Sequence, residues 1–372
     1  MAKSKRKTLP KDFEEFLAAG DLATLKAVFA GCYVDARGGV FKQSALAFAA
    51  CPDELTRWLV EQGADLSATD AYGETPLHAR AGHWKGDVAL LIALGAEVNH
   101  DAGGRGTPLH RAAAVGNLRT ARALLDHGAR VDAINDAGQT PLLLALQRCS
   151  NATIARIAPM ARMLLDAMAG AAGKPRSFVG SLFGAHRAPT SPVTPAMQHQ
   201  VRRIGTDFEF HRANFNPDSV DAASDALAEL YRLFDVAPMP RRVLHDGTSP
   251  IVGRAIPWED RHQELWEMLV PSSGAAATVQ GEVIRISGRI SDEIDRNGGV
   301  NWDGDYRKMA DALLDHIGSA HPLPPAEREA ARKAVAEVKG RRDGAAMLCQ
   351  LAVEWVALNP TPIALPQPAY RR

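Results

Sequence analysis

Histidine, carboxylate and hydroxyl stand together at His245-Asp246-Gly247-Thr248-Ser249, the three groups a charge-relay hydrolase needs. The spacing argues against that chemistry. Neighbours in sequence seldom point into one site, no nucleophile elbow surrounds the serine, and an Asp246-capped turn explains the wording. Asp295, Asn297, Asn301, Asp303 and Asp305 supply oxygen ligands of the kind calcium prefers. The glycine and closing glutamate of a helix–loop–helix calcium site are absent in any register, so Asp303 or Asp305 is expected to cap the next helix instead. Arg285 and Arg289 lie one helical turn apart and could grip a phosphate or carboxylate, yet Glu282, Asp292 and Glu293 suffice to pair them. There is no glycine-rich phosphate loop. Cys32, Cys51, Cys149 and Cys349 are scattered in apolar helical contexts and read as buried reduced thiols. The expectation is a chain with no catalytic set, no cofactor and no metal.

Composition agrees with an ordinary soluble protein, and length with two or three domains: 372 residues, 46% apolar, 23% charged. Lys and Arg number 43, as do Asp and Glu, so bulk attraction to nucleic acid is not expected. Local basic stretches remain at Lys3–Lys7 and in residues 167–206, which hold no acidic side chain. The basic start, Met1–Lys11, is followed by no apolar segment and is not a secretory signal. No apolar run has the length of a membrane span. A cytoplasmic setting is expected.

The elements that must position any site are written in a repeat. Thr75-Pro76-Leu77-His78 returns as Thr107-Pro108-Leu109-His110 and as Thr140-Pro141-Leu142, with an earlier echo at Ser44-Ala45-Leu46. The offsets are 31, 32 and 33 residues. Threonine can cap a helix and proline costs nothing at its first position. Ala112, Ala113 and Ala114 allow close packing, Leu118, Ala121, Leu124 and Leu125 form the face of a second helix, and Gly128 ends it. A projecting loop follows. Such units bury their apolar faces only against neighbours.

Helix, tight turn, helix and loop in about 33 residues is the ankyrin unit, and residues 13–170 resemble the ankyrin-repeat family. Residues 71–102 and 103–135 are good copies, and residues 39–70 a degraded one. Residues 13–38 keep only the second helix (Leu22, Leu25, Val28, Phe29) and a turn at Gly31, as an N-terminal cap. Residues 136–170 run long, as a C-terminal cap. Leu109 to Gly128 is 19 residues, but Leu77 to Gly95 is 18 and Leu46 to Gly63 is 17. One deleted helical residue turns everything after it by about 100°, so Gly82-His83-Trp84-Lys85-Gly86 should be irregular. Trp84 there is either a partner anchor or a side chain folded back to fill volume.

Beyond Gly170 the composition becomes rich in Gly, Pro and Ser, and residues 171–199 read as a protease-sensitive linker holding one apolar cluster, Phe178, Val179, Leu182 and Phe183, of a kind that can dock onto a surface. Residues 200–360 read as a non-repeat α-helical domain with a tail at 361–372. Its helices start near Asp218, Trp258, Val279, Trp302, Ala326 and Ala345. The wording Val270-Pro271-Ser272-Ser273-Gly274 to Arg285, with Asn297-Gly298-Gly299, resembles a segment of uncharacterised bacterial proteins, which implies a bacterial source and no activity. The fold class expected is all-α, an array followed by a helical domain.

The family resemblance implies that the loop tips and inner-helix faces bind another protein. Carried onto this chain it picks Tyr72, Glu74, Arg105, Ile134 and Gln139 from successive loops, with Arg80, His83 and Trp84 on the adjoining turn. It also implies that His78 and His110 bond one loop to the next. The expected function is non-catalytic protein binding, in its sharpest form an immunity or antitoxin protein occluding a toxin or effector. The alternative is an enzyme or small-ligand sensor in the helical domain, with His245, Arg285, Arg289, Asn301 and Asp303 gathered at one pocket and the array as a targeting arm. A nucleic-acid binder is the weakest reading.

Overall fold

Threonine and proline begin the helices as the phrase requires. Thr75, Thr107 and Thr140 sit in extended backbone immediately before Pro76, Pro108 and Pro141. Thr140 Oγ1 accepts the Leu143 N–H at 3.2 Å, satisfying a donor the first turn leaves orphaned. A computed structural model describes residues 4–84, 86–172 and 192–370. Among them the chain forms two compact units, residues 1–208 with 216–239 and residues 209–215 with 240–372.

In the first unit the order is β1 (Arg6–Thr8), α1 (Phe13–Ala19), α2 (Leu22–Gly31), β2 (Cys32–Gly38), β3 (Gln43–Ser44) and α3 (Asp53–Glu61). Then come α4 (Pro76–Ala81), α5 (Ala89–Ala93), α6 (Pro108–Val115), α7 (Leu118–Asp126), α8 (Pro141–Arg148) and α9 (Ile154–Ala172). The first helix of each unit stacks on the first helix of the next, α4 on α6 and α6 on α8. Leu109, Ala112 and Ala113 of α6 are fully buried along that stack, and Ala121 and Leu124 of α7 are fully buried as well. Small side chains allow the approach, as the sequence suggested.

The N-terminal cap differs from its sequence reading. Both of its helices form, because Phe13 and Leu17 supply the apolar face of α1, and Gly31 ends a helix rather than making a turn. The basic arm is tied down as well. Residues 6–8 pair in parallel with β2, which pairs antiparallel with β3, and Lys5 Nζ donates to the Phe29 carbonyl at 3.0 Å. Among the described residues the fold remains mainly helical, with this one small sheet.

The boundary drawn at residue 200 also moves. α10 (Pro195–His211) starts inside the stretch read as linker, and α11 (Pro217–Phe234) packs on α9. Arg203 of α10 donates to the carbonyls of Leu146, Gln147 and Cys149 at 3.1–3.3 Å, capping the end of α8. A cation there meets the unpaired carbonyls and negative end of the helix. Composition does not reveal this, because the capped groups are backbone. The apolar cluster Phe178 to Phe183 lies outside the described residues.

The second unit holds α12 (Trp258–Leu269), α13 (Val279–Ser291), α14 (Gly304–Ile317), α15 (Pro325–Lys339) and α16 (Ala345–Leu358). α13 is central, buried on nearly every side by α12, α14 and α16. It carries a polar core. Gln280 donates to the carbonyls of Asn359 and Thr361 and accepts from the Ile363 N–H, holding residues 359–363 against the helix start. Arg285 donates to both oxygens of Glu282 at 2.8 and 2.6 Å, and Tyr370 Oη donates to Glu282 at 2.7 Å. Arg285 is 1% exposed and pairs with Glu282 inside the core, closed to a phosphate or carboxylate ligand.

Candidate partner-binding groove

Each projecting loop is shaped by its own short hydrogen bonds. Asp70 accepts the Tyr72 and Glu74 N–H groups at 2.7 and 2.9 Å, turning the second loop so that Tyr72 sits at its tip. The first loop is the β2–β3 hairpin, whose tip is Val40-Phe41. The Ala71 N–H donates to the Phe41 carbonyl at 3.0 Å and sets the two tips side by side. Their rings meet edge to face at 5.9 Å, and the Arg105 guanidinium of the third loop lies 4.7 Å from the Tyr72 ring centre. Phe41, Tyr72 and Arg105 therefore form a row along three consecutive loops, the aromatics half exposed.

Behind the row lies a groove of about 650 Å³. Ala47, Ala49, Ala79 and Gly82 contribute to its floor, small side chains that leave the volume open. Glu14, Glu74, His83 and Arg111 line its sides. Glu74 and Arg111 pair across neighbouring repeats. Arg111 has its pKa lowered, first by burial and then by the nearby Arg148.

The loops are locked to each other through His78 and His110. Each Nδ1 accepts from its own threonine N–H, at 3.3 Å for Thr75 and 3.0 Å for Thr107. Each Nε2 lies 3.1 and 3.0 Å from the next loop's carbonyl, Gly106 and Gln139 respectively. That pattern fixes the neutral tautomer with its proton on Nε2. Burial lowers the pKa of both, His78 to about 4.

Of the residues picked from sequence, Tyr72, Glu74, His83 and Arg105 line one groove. Ile134 is exposed on the fourth loop, outside the groove's lining. Gln139 is a brace: its Oε1 accepts from Asn135 Nδ2, its N–H donates to Asn135 Oδ1, and its carbonyl takes the His110 bond. Trp84 is 56% exposed, with the Arg156 guanidinium 6.0 Å from its ring, so it fills no core volume.

Arg80 is the correction. It is 3% exposed, and its guanidinium donates to the Leu46 carbonyl at 2.8 Å and to Thr56 Oγ1 at 2.9 Å in the preceding repeat. It staples two repeats and is closed to a partner. The deletion beside it shortens α4, and Gly86 comes so close that a Cβ would lie 1.9 Å from the Arg80 carbonyl. Asn117 and Thr120 of the next repeat clamp the irregular turn through the His83 and Gly86 carbonyls. Arg80→Met keeps the bulk and removes both bonds, leaving the Leu46 carbonyl buried without its donor. The expected loss is about 1–3 kcal/mol, read as a lower urea midpoint at unchanged slope. Unchanged stability with weakened partner binding would restore Arg80 as a contact.

Sequence reasoning missed Val40, Phe41, Glu14 and Arg111. The signal for Phe41 was present: it stands three residues before Ser44, as Tyr72 stands three before Thr75.

The residues with chemical promise in the second unit do not form one site. His245, Asp246 and Ser249 do meet, contrary to the sequence reading, but with reversed polarity. The Gly247 N–H donates to His245 Nδ1 at 3.0 Å, placing the ring proton on Nε2, 3.1 Å from Ser249 Oγ. Ser249 donates in turn to Asp246 at 3.0 Å. A hydroxyl cannot pass its proton to a nitrogen already protonated. Asp246 also accepts the Thr248 and Ser249 N–H groups, which hold its carboxyl well below the usual range. Asp303 caps α14 through the Asp305 and Tyr306 N–H groups. Asn297 and Asn301 donate to the buried Glu293. Among the described residues no three His, Cys, Asp or Glu side chains are grouped to hold a metal ion, and no helix is long and apolar enough to cross a membrane.

Two family models match this stretch, ankyrin repeats in three copies over residues 79–169 and ankyrin repeats in many copies over residues 45–94. Residues 45–169 are thus ankyrin repeats, a module that binds other proteins. Ankyrin repeat protein nuc-2 of Neurospora crassa is 27% identical over 235 residues, 62% of this chain and 21% of that protein. A candidate E3 ubiquitin-protein ligase of Arabidopsis thaliana, XBAT35, is 45% identical over 96 residues, 25% of this chain and 21% of that protein. Ankyrin repeat and SOCS box protein 16 of Mus musculus is 34% identical over 102 residues, 25% of this chain and 22% of that protein. The chain spans about a fifth of the length of these relatives. They are fungal, plant and animal proteins and lend the expected bacterial source no support.

Proposed function

We propose that the chain is a non-catalytic interaction protein that grips a partner protein along the first three loops of its array. The observation that carries this reading is the row Phe41–Tyr72–Arg105, exposed aromatic and guanidinium groups over an open groove floored by alanine and glycine. Aromatic and arginine side chains carry most of the energy in protein interfaces. Their exposure also means that the fold does not depend on them.

Phe41→Ala, Tyr72→Ala and Arg105→Ala should each weaken the partner complex by about 1–4 kcal/mol, with melting temperatures little changed. The partner is captured from the source cell with the intact chain, and titrated by calorimetry against each variant. Three variants that bind normally would remove the groove from the interface. Trp84→Ala and Ile134→Ala in the same titration tell whether the contact extends past the groove. In its finer form the partner is a toxin that the chain occludes, in the cytoplasm of its host. Activity of the captured protein, free and bound, decides that form.

A further inference from the structure

The groove has an electrical direction along the array. Glu14 of α1 stands exposed at its start, beside Gly39 at the base of the first loop, and has no hydrogen-bonded or ionic partner among the described residues. Arg105 stands at its far side, stacked on Tyr72 and likewise without a carboxylate partner among the described residues. The charged groups between them already have hydrogen-bond or ionic partners. Asp70 holds two N–H groups of its own loop, and Glu74 pairs with Arg111. A free carboxylate, two half-exposed aromatic rings and a free guanidinium thus follow one another in repeat order.

On the reading that this groove is the interface, we infer that its occupant is an extended peptide segment of a partner protein, with a basic residue set against Glu14, an acidic residue against Arg105 and a large apolar residue between them. The Phe41 and Tyr72 ring centres lie 5.9 Å apart and the Arg105 guanidinium lies 4.7 Å from the Tyr72 ring, so the apolar and acidic positions are neighbours along the groove. An extended segment advancing about 3.3 Å per residue meets the three positions in the order basic, apolar, acidic. A uniformly basic or uniformly acidic segment would face one like charge, which costs affinity and register. A strongly anionic ligand such as nucleic acid would meet Glu14 in the same way.

The test uses random dodecapeptides displayed on phage and selected on the full chain, then synthesised and measured by fluorescence anisotropy. Groove binders are those lost with Phe41→Ala or Tyr72→Ala. They should carry a Lys or Arg on one side of an aliphatic or aromatic residue and an Asp or Glu on the other. Glu14→Arg should weaken such a peptide by about five- to tenfold, and exchanging the peptide's basic residue for glutamate should recover the loss. Arg105→Glu with the acidic residue exchanged for lysine should behave in mirror image. Groove binders indifferent to both reversals would overturn the charge assignment and leave the interface standing. A selection whose peptides all survive Phe41→Ala and Tyr72→Ala would overturn the interface itself.

Discussion

Glu282→Ala should destabilise the second unit by about 3–5 kcal/mol, the largest effect expected of any single substitution described. Glu282 is fully buried, and four donors converge on its carboxylate: Arg285 twice, the Ala276 N–H and the Tyr370 hydroxyl. Burial raises a carboxyl pKa, but these donors outweigh it and hold Glu282 below its ordinary value. Burial and the Glu282 carboxylate push the Tyr370 hydroxyl pKa up. Removing the carboxylate leaves the Arg285 guanidinium in the core without the counter-charge of Glu282. Replacing both partners, Glu282→Leu with Arg285→Met, should cost much less than the single change, because the desolvation penalty leaves with the pair. Urea unfolding of both variants checks the order. A double variant no more stable than Glu282→Ala would mean that shape, and not charge, dominates the site.

The array was the legible part. Threonine caps, N1 prolines and the loop-bridging histidines act within a few residues or at one fixed repeat offset, and sequence displays such relations directly. Tyr72 and Arg105 were found because they sit beside that phrase. Phe41 was passed over because its repeat lacks the Thr-Pro pair, although the offset of 31 residues carries it onto Tyr72. Arg80 was misjudged for a different reason. A cation at an alanine position looks exposed until its acceptors are known, and these lie 34 and 24 residues away, one of them a carbonyl without sequence signature. The pairing of Glu282 with Arg285 was legible, but its burial was not, since what buries it includes Tyr370, 88 residues further on from Glu282.

Acid should loosen both units before most carboxylates titrate. His78 in the first and His262 in the second have pKa values lowered by burial from 6.5 to about 4. His262 Nε2 lies 2.9 Å from the buried Ser287 hydroxyl. Protonating His78 would put a proton on Nδ1, where two Thr75 donors already point. The folded form therefore binds fewer protons than the unfolded one between these limits. Stability is full above pH 6.5 and falls as pH drops towards 4, by about 3 kcal/mol for each histidine. Urea midpoints at about pH 7 and about pH 4.5 should show most of that loss. His78→Gln should reduce the dependence of the first unit, where His110 still contributes, while leaving the second unit's slope in place. Equal slopes with and without His78 would assign the acid sensitivity elsewhere.

Repeat proteins are usually treated as interchangeable bricks, and the buried Arg80 removes that freedom here. The repeat spanning residues 71–102 carries a cation whose acceptors belong to the repeat spanning residues 39–70. Grafted behind any other unit, it would bring an entombed guanidinium into an apolar seam. Recombination can therefore move these two repeats only as a pair. A consensus library built from this array should fix Arg80 and Thr56 together, or restore alanine at position 80 before shuffling begins.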